Sequence, residues 1–299
     1  MPPKQQVDGV LLLDKPAGVT SNAALQRARR ALGAAKAGHT GTLDPLASGL
    51  LPLCFGEATK FAQVLLDARK RYRATVRLGV TTTTQDAEGD IVATRPVLCD
   101  RHALEAALSQ FVGEIDQVPP AYSALKRQGR SYYEYARAGI AIEREARTVT
   151  IDSLALVDWQ APDAVIDVAC SKGTYVRTLG ADLGERLGCG AHLAALRRTA
   201  SGSFTLDQAV SLPDLESMDV LRRREWLLPP DRLLAGAPRI DLDSDSASRF
   251  CNGVPVDFNA PDADACAVYC RDSFLGLAGI REGIVRPRRL VAGAGLQAD

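Results

Sequence analysis

Between Arg71 and Leu78 the side chains alternate in character. Tyr72, Ala74, Val76 and Leu78 fall on one parity, and Arg71, Arg73, Thr75 and Arg77 on the other. A period of two predicts a strand with one apolar and one basic face. Residues 10–13 form a short apolar run ended by Asp14-Lys15-Pro16, a strand entering a turn. Thr20, Ser21 or Asn22 can cap a helix over residues 23–32, stopped by Gly33, whose polar face carries Arg27, Arg29 and Arg30. Residues 50–55 read as a buried strand and residues 81–89 as a polar loop. Asp100 can cap a helix reaching Phe111, with Leu104, Ala107, Leu108 and Phe111 on one stripe. A short helix is expected over residues 131–137, strands over 149–157 and 164–170, and a helix over 174–187 stopped by Gly188.

From Pro229 the pattern changes to Pro-Pro, an Asp-rich stretch and short strands around residues 266–270 and 274–280. The boundary is placed near 235, giving a main unit of residues 1–235 and a small β-rich unit of residues 236–299. The elements imply an α/β (α+β) chain built on a mixed, largely antiparallel sheet.

Composition adds exclusions. Of 299 residues, 46% are hydrophobic and 24% charged, ordinary for a soluble globular protein. No run approaches the roughly 20 apolar residues of a membrane span, and the N-terminus is too polar for an export signal. Seven cysteines without a CxxC spacing fit reduced thiols in the cytoplasm. Three scattered histidines make a metal site unexpected. The net charge of zero conceals an asymmetry: residues 1–80 hold twelve Lys/Arg against five Asp/Glu, while residues 231–272 hold four Arg against eight Asp. Basic residues cluster at 69–73, at Lys126, Arg127 and Arg130, and at 222–224. One such run is ordinarily a solvated face; three, two of them interleaved with tyrosine, point to a nucleic acid.

Common enzyme templates are absent: no GxxxxGK(S/T), GxSxG or HExxH, and no deaminase zinc signature. What remains is GHTGTLDPLASGLL, residues 38–51, where Asp44 stands on a glycine-rich loop between Leu43 and Leu46. By residue type alone, Asp44-Pro45 is first a turn pair and only second a reagent, although a carboxylate can act as a nucleophile toward an anomeric carbon.

The motif resembles the catalytic motif of the TruB family of tRNA pseudouridine-55 synthases. LLDKPAGVT (residues 12–20), KRYRATVRLG (70–79) and SKGTYVRTL (171–179) resemble three further family motifs in the same order. Thr42 and Ser48 depart from the usual pattern by small changes. The resemblance implies a pseudouridine-synthase fold with a PUA-type RNA-binding domain at the C-terminus. It implies Asp44 as the catalytic carboxylate and Arg177 as the partner keeping it ionised. Tyr72 would lie against a flipped uracil, with Tyr175 walling the same pocket. His39, Lys15, Arg71 and Arg73 are expected at the RNA, Lys15 also supporting the pocket. The implied reaction moves uracil from N1 to C5 attachment in the T-arm of tRNA, with no cofactor, no metal and no obligatory protein partner. Two rivals stay open: a non-catalytic tRNA-binding chaperone and a synthase that works with a guide RNA.

Overall fold

A computed structural model describes residues 6–123 and 125–292. The start of the polar N-terminus and the last residues of the expected C-terminal unit lie outside the described residues. The main sheet runs in the order Val210–Ser211, Gly9–Lys15, Ser48–Phe55, Ala191–Ser201, Lys70–Leu78, Asp163–Cys170, Arg147–Gln160, Gly113–Gln117. Ala191–Ser201 pairs in parallel with Ser48–Phe55 and antiparallel with Lys70–Leu78, so it is the seam between two halves. The pattern reading assigned no strand to this segment. It also treated residues 81–89 as loop, where Val80–Thr82 and Ile91–Thr94 pair into a hairpin.

The alternation in Lys70–Leu78 sorts as its period requires. Ala74, Val76 and Leu78 join a core under helices Arg101–Ser109 and Val176–Arg186. On the same face of the other half, Leu11, Leu13, Leu51 and Leu53 pack against Ala24, Leu25 and Ala28 of helix Ser21–Ala31. Thr20 caps that helix, accepting from the Ala23 amide. Tyr72 and Leu196 touch both cores and bridge the halves. The front of the sheet therefore carries two helical layers with a cleft over the seam.

Behind the sheet, Val10, Leu12, Leu50 and Cys54 meet Phe61, Leu65 and Leu233. A separate five-stranded sheet follows: Arg239–Asp241, Ala263–Cys270, Ser273–Arg281, Ile284–Leu290 and Val256–Asp257, with helix Ser244–Cys251 against it. Its Phe274, Leu277 and Val291 pack onto the rear core, with the Phe61 and Phe274 rings 5.2 Å apart. Among the described residues, no helix is long and apolar enough to cross a membrane.

Candidate active site

The two leucines beside Asp44 explain its surroundings. Leu43 is buried in the core of the first half, and Leu46 packs against the core of the second. The acid between them is thereby held over the seam. Ser21, at the start of its helix, pins the loop: its hydroxyl accepts from the Leu43 amide at 2.7 Å and donates to the Leu43 carbonyl at 2.9 Å. The Gly18 amide donates to the Pro45 carbonyl at 2.8 Å, and the Ala47 amide closes a turn onto the Asp44 carbonyl at 3.1 Å.

Arg177 reaches Asp44 from the first turn of helix Val176–Arg186. Its Nη2 lies 3.0 Å from Asp44 Oδ2, and its Nη1 lies 3.6 Å from Asp86 Oδ2. The same guanidinium donates to the carbonyls of Thr84, at 3.3 Å, and Tyr122, at 2.8 Å. One arginine thus serves two carboxylates. Asp86 is 4% exposed and Asp44 41% exposed, so of the two it is Asp44 that faces the cleft. Asp86 is fixed by the Thr84 hydroxyl at 2.5 Å, by the Glu88 amide at 3.1 Å, and by backbone pairing beside Leu193 of the seam strand.

The electrostatics of Asp44 run against the expectation of a carboxyl held low. Although one side is open to the cleft, the surrounding protein desolvates the group, and this is the largest influence on it. Its pKa lies above the ordinary aspartate value; Arg177 and Lys15 pull downward, while Asp86 pushes up. Arg177 only partly offsets burial because it is shared. Burial likewise raises the pKa of Tyr72, against the opposing charge of Arg198, and raises that of Tyr175. Both phenols are therefore neutral hydroxyls near neutral pH.

Two cavities meet at a wall formed by Asp44, Ser123 and Arg177. The smaller, about 310 Å³, is also lined by Tyr72, Tyr175, Lys70 and Arg198. The larger, about 610 Å³, is lined by Thr83, Asp86, Glu88, Tyr122 and Tyr133. Strand register sets Tyr72 and Arg198 side by side in the wall of the smaller cavity, within a row of successive neighbours that runs Lys15, Gly49, Arg198, Tyr72 and Val168 across five strands. Among the described residues, no group of three or more His, Cys, Asp or Glu could hold a metal ion.

Asp44, Tyr72, Tyr175 and Arg177 thus surround one cavity. The expected RNA contacts fare differently. Lys15 is wholly buried, its Nζ donating to the carbonyls of Pro16 and Val19 at 2.9 and 2.6 Å, and burial lowers its pKa to about 8. It supports the turn beneath the site and is not presented to RNA. Arg71 and Arg73 fall on the parity opposite Tyr72 and so lie behind the sheet, not in the cleft. There Arg73 makes a bidentate pair with Asp167, both contacts at 2.8 Å. His39 stands on the short strand Ala37–His39 before the loop. Its Nδ1 is buried without a hydrogen-bond partner among the described residues, and burial, then Arg198, lowers its pKa. Asp86 and Arg198 were not foreseen. The available signal was a carboxylate in a threonine-rich stretch and an Arg-Arg pair inside an apolar segment.

Comparison with known proteins covers the whole arrangement. Residues 29–176 match the TruB family pseudouridylate synthase N-terminal domain. Residues 177–235 match the tRNA pseudouridylate synthase B C-terminal domain, and residues 238–291 the C-terminal domain of pseudouridine synthase II TruB. The chain is 57% identical to tRNA pseudouridine synthase B of Burkholderia lata, over 98% of this chain and 92% of that protein. It is 56% identical to the same-named protein of Chromobacterium violaceum, over 97% and 96%. Among solved structures it resembles a chain of a Cbf5–Nop10–Gar1 complex, with a TM-score of 0.73 and 26% identity, covering 94% of this chain and 84% of that one. A carboxylate loop bolted across a seam, an arginine on the facing helix and full-length likeness to curated synthases lead to one conclusion: the chain belongs to the TruB family of pseudouridylate synthases.

Proposed function

We infer that this chain isomerises uridine to pseudouridine at position 55 in the T-arm of tRNA, with Asp44 as the catalytic carboxylate. The observation that carries the reading is the 3.0 Å Arg177–Asp44 ion pair in the wall of a cavity that also holds Tyr72. The reaction breaks N1–C1′, turns the uracil, joins C5 to C1′ and releases the C5 proton while N1 takes one up from solvent. No electron or group donor enters the balance. Attack at C1′, addition to the base and removal of a sugar proton all require an ionised carboxylate. Arg177 favours that form against burial.

To reach the cavity the target nucleotide leaves its stack, which costs a few kcal/mol. Stacking on the Tyr72 ring offsets roughly 1–3 kcal/mol of this. A neutral Tyr72 hydroxyl suits a proton relay from C5 rather than a phenolate base. Tyr175 walls the pocket. A neutral His39 ring fits apolar contact with RNA beside the vacated stack. Residues 236–299 form an auxiliary RNA-binding unit of PUA type, and residues 1–235 the catalytic unit. The protein acts alone, in the cytoplasm.

The test is tritium release from C5-labelled uridine in unmodified tRNA, using purified protein alone with EDTA on a prefolded T-arm stem-loop as control. Release at position 55 is expected. Binding without release would make the chain a chaperone. Release only after adding a guide RNA and partner proteins would make it a guided synthase, and loss with EDTA restored by zinc or magnesium would overturn the metal-free chemistry.

A further inference from the structure

Arg198 is 1% exposed and hydrogen-bonds the Tyr72 side chain, yet no step above assigns it a role. It sits on the seam strand, with Tyr72 opposite on one side and Gly49 on the other. Its Nε donates to the Leu50 carbonyl at 2.7 Å and its Nη2 to the Gly41 carbonyl at 3.2 Å. Those carbonyls stand at the two ends of residues 41–50, the segment that carries Asp44. One planar guanidinium therefore spans the mouth of the loop. The loop also closes against the Arg198 backbone: a Cβ at Gly49 would lie 2.3 Å from the Arg198 carbonyl oxygen. Its charge is felt by Lys15, His39, Lys70 and Tyr72, groups from three separate segments around the base of the loop.

A buried cation is costly to desolvate, and a side chain of similar length without charge would fill the same space at lower cost. What the guanidinium supplies is a rigid fork whose separate N–H groups can meet two carbonyls at once. A lysine ammonium lacks that geometry. We propose that Arg198 is a positioning residue: it clamps the two ends of the loop and so fixes the Asp44 carboxylate relative to the base held by Tyr72. The substrate in this statement rests on the preceding reading; the clamp itself does not.

Arg198→Lys and Arg198→Gln in the full chain test it. Three quantities are measured: single-turnover pseudouridine formation at saturating T-arm stem-loop, the Kd for that RNA, and deuterium uptake by peptides covering residues 41–50 without RNA. Both variants should turn over about 100-fold more slowly, the loss expected of an ångström-scale misplacement, with Kd unchanged. Uptake should rise in residues 41–50 and stay constant in the second sheet. A rate within about threefold of native would overturn the proposal. So would a slow rate without faster loop exchange. Exchange rising throughout the chain, or unfolding of both variants, would make Arg198 a general core residue and equally overturn it. If the native protein forms no pseudouridine, the functional reading fails, while the exchange measurement still decides the clamp.

Discussion

The strand Lys70–Leu78 sends cations to both faces of the sheet, and the two faces treat them oppositely. Behind, Arg73 and Arg77 each form a bidentate pair with an acid on the next strand, Asp167 and Asp163, at 2.7–2.8 Å. Farther along that surface Arg197 pairs with Asp14 at 2.7 Å. In front, Lys70 is buried, its amino group donating to the carbonyls of Leu65, Leu66 and Ala68. Nearby, Lys15, Arg177 and Arg198 gather from distant parts of the chain around Asp44. The densest basic stretch in the sequence is therefore largely neutralised on one side. The field at the candidate site comes from cations that the sequence disperses. Proximity along the chain measures contour spacing; a field depends on burial and on what each charge already faces.

The sharpest break in that comparison would come from Asp44→Asn. Asn keeps the size and loses the charge, so single-turnover tritium release should fall about 10⁴-fold with RNA affinity unchanged. A rate within about tenfold of native would remove Asp44 from the chemistry. Tyr72→Phe deletes the relay hydroxyl but keeps the ring, so the rate should drop about 10³-fold at near-normal affinity. Tyr72→Ala should impair both; full binding and activity in that variant would reduce Tyr72 to packing.

Arg177→Lys keeps charge without the fork that meets Asp44, Asp86 and two carbonyls, and should slow the reaction about 100-fold. The native rate should decline as pH falls through the raised pKa of Asp44, above the range of an ordinary aspartate. Stability moves the other way. The folded state holds this proton more tightly than the unfolded chain, so Asp44 contributes a loss of stability as pH rises from the unfolded carboxylate value through its own. Urea melts of native and Asp44→Asn protein across that window should differ in slope; parallel curves would show that burial does not govern the group.

Removing residues 236–299 should weaken RNA binding about tenfold while leaving the saturated single-turnover rate within about threefold. It should also lower the melting temperature, because Phe61 and Leu65 lose Phe274, Leu277 and Val291. A folded truncation without the chemical step would place part of the active site in the second sheet. The smallest effects belong to the rear surface. Arg73→Ala and Arg77→Ala should leave RNA affinity within about twofold of native by gel shift, since these pairs are exposed and already satisfied. A larger loss would make the back of the sheet part of the RNA interface.

What was legible follows from what is local. The parity of Lys70–Leu78, the Thr20 cap (one of three candidates) and the Gly188 stop are near-neighbour effects, and each element stands within two residues of where its pattern put it. The seam strand was not legible, because Ala191, Leu193, Ala194, Ala195 and Leu196 suit a helix as well as a strand, and only pairing on both sides decides. Asp86 was hidden for a related reason: its burial depends on a hairpin that folds back onto that strand. Of the two parts expected of Lys15, support of the pocket fits its burial and contact with RNA does not, because its side chain doubles back into its own turn, which a charge pattern cannot reveal. The residues around Asp44 were legible through ordered motifs rather than through periodicity.

Asp44 and Arg177 belong to different halves of the molecule. Ser21 and Leu43 bind the acid to the first half, while Val176, Leu179 and Leu183 root the arginine in the second. The separation between carboxylate and guanidinium therefore works as a gauge of shear along the seam. Any ligand that wedges the two helical layers apart, or any substitution that lets the central strand slip, will be registered first as a lengthening of that one ion pair.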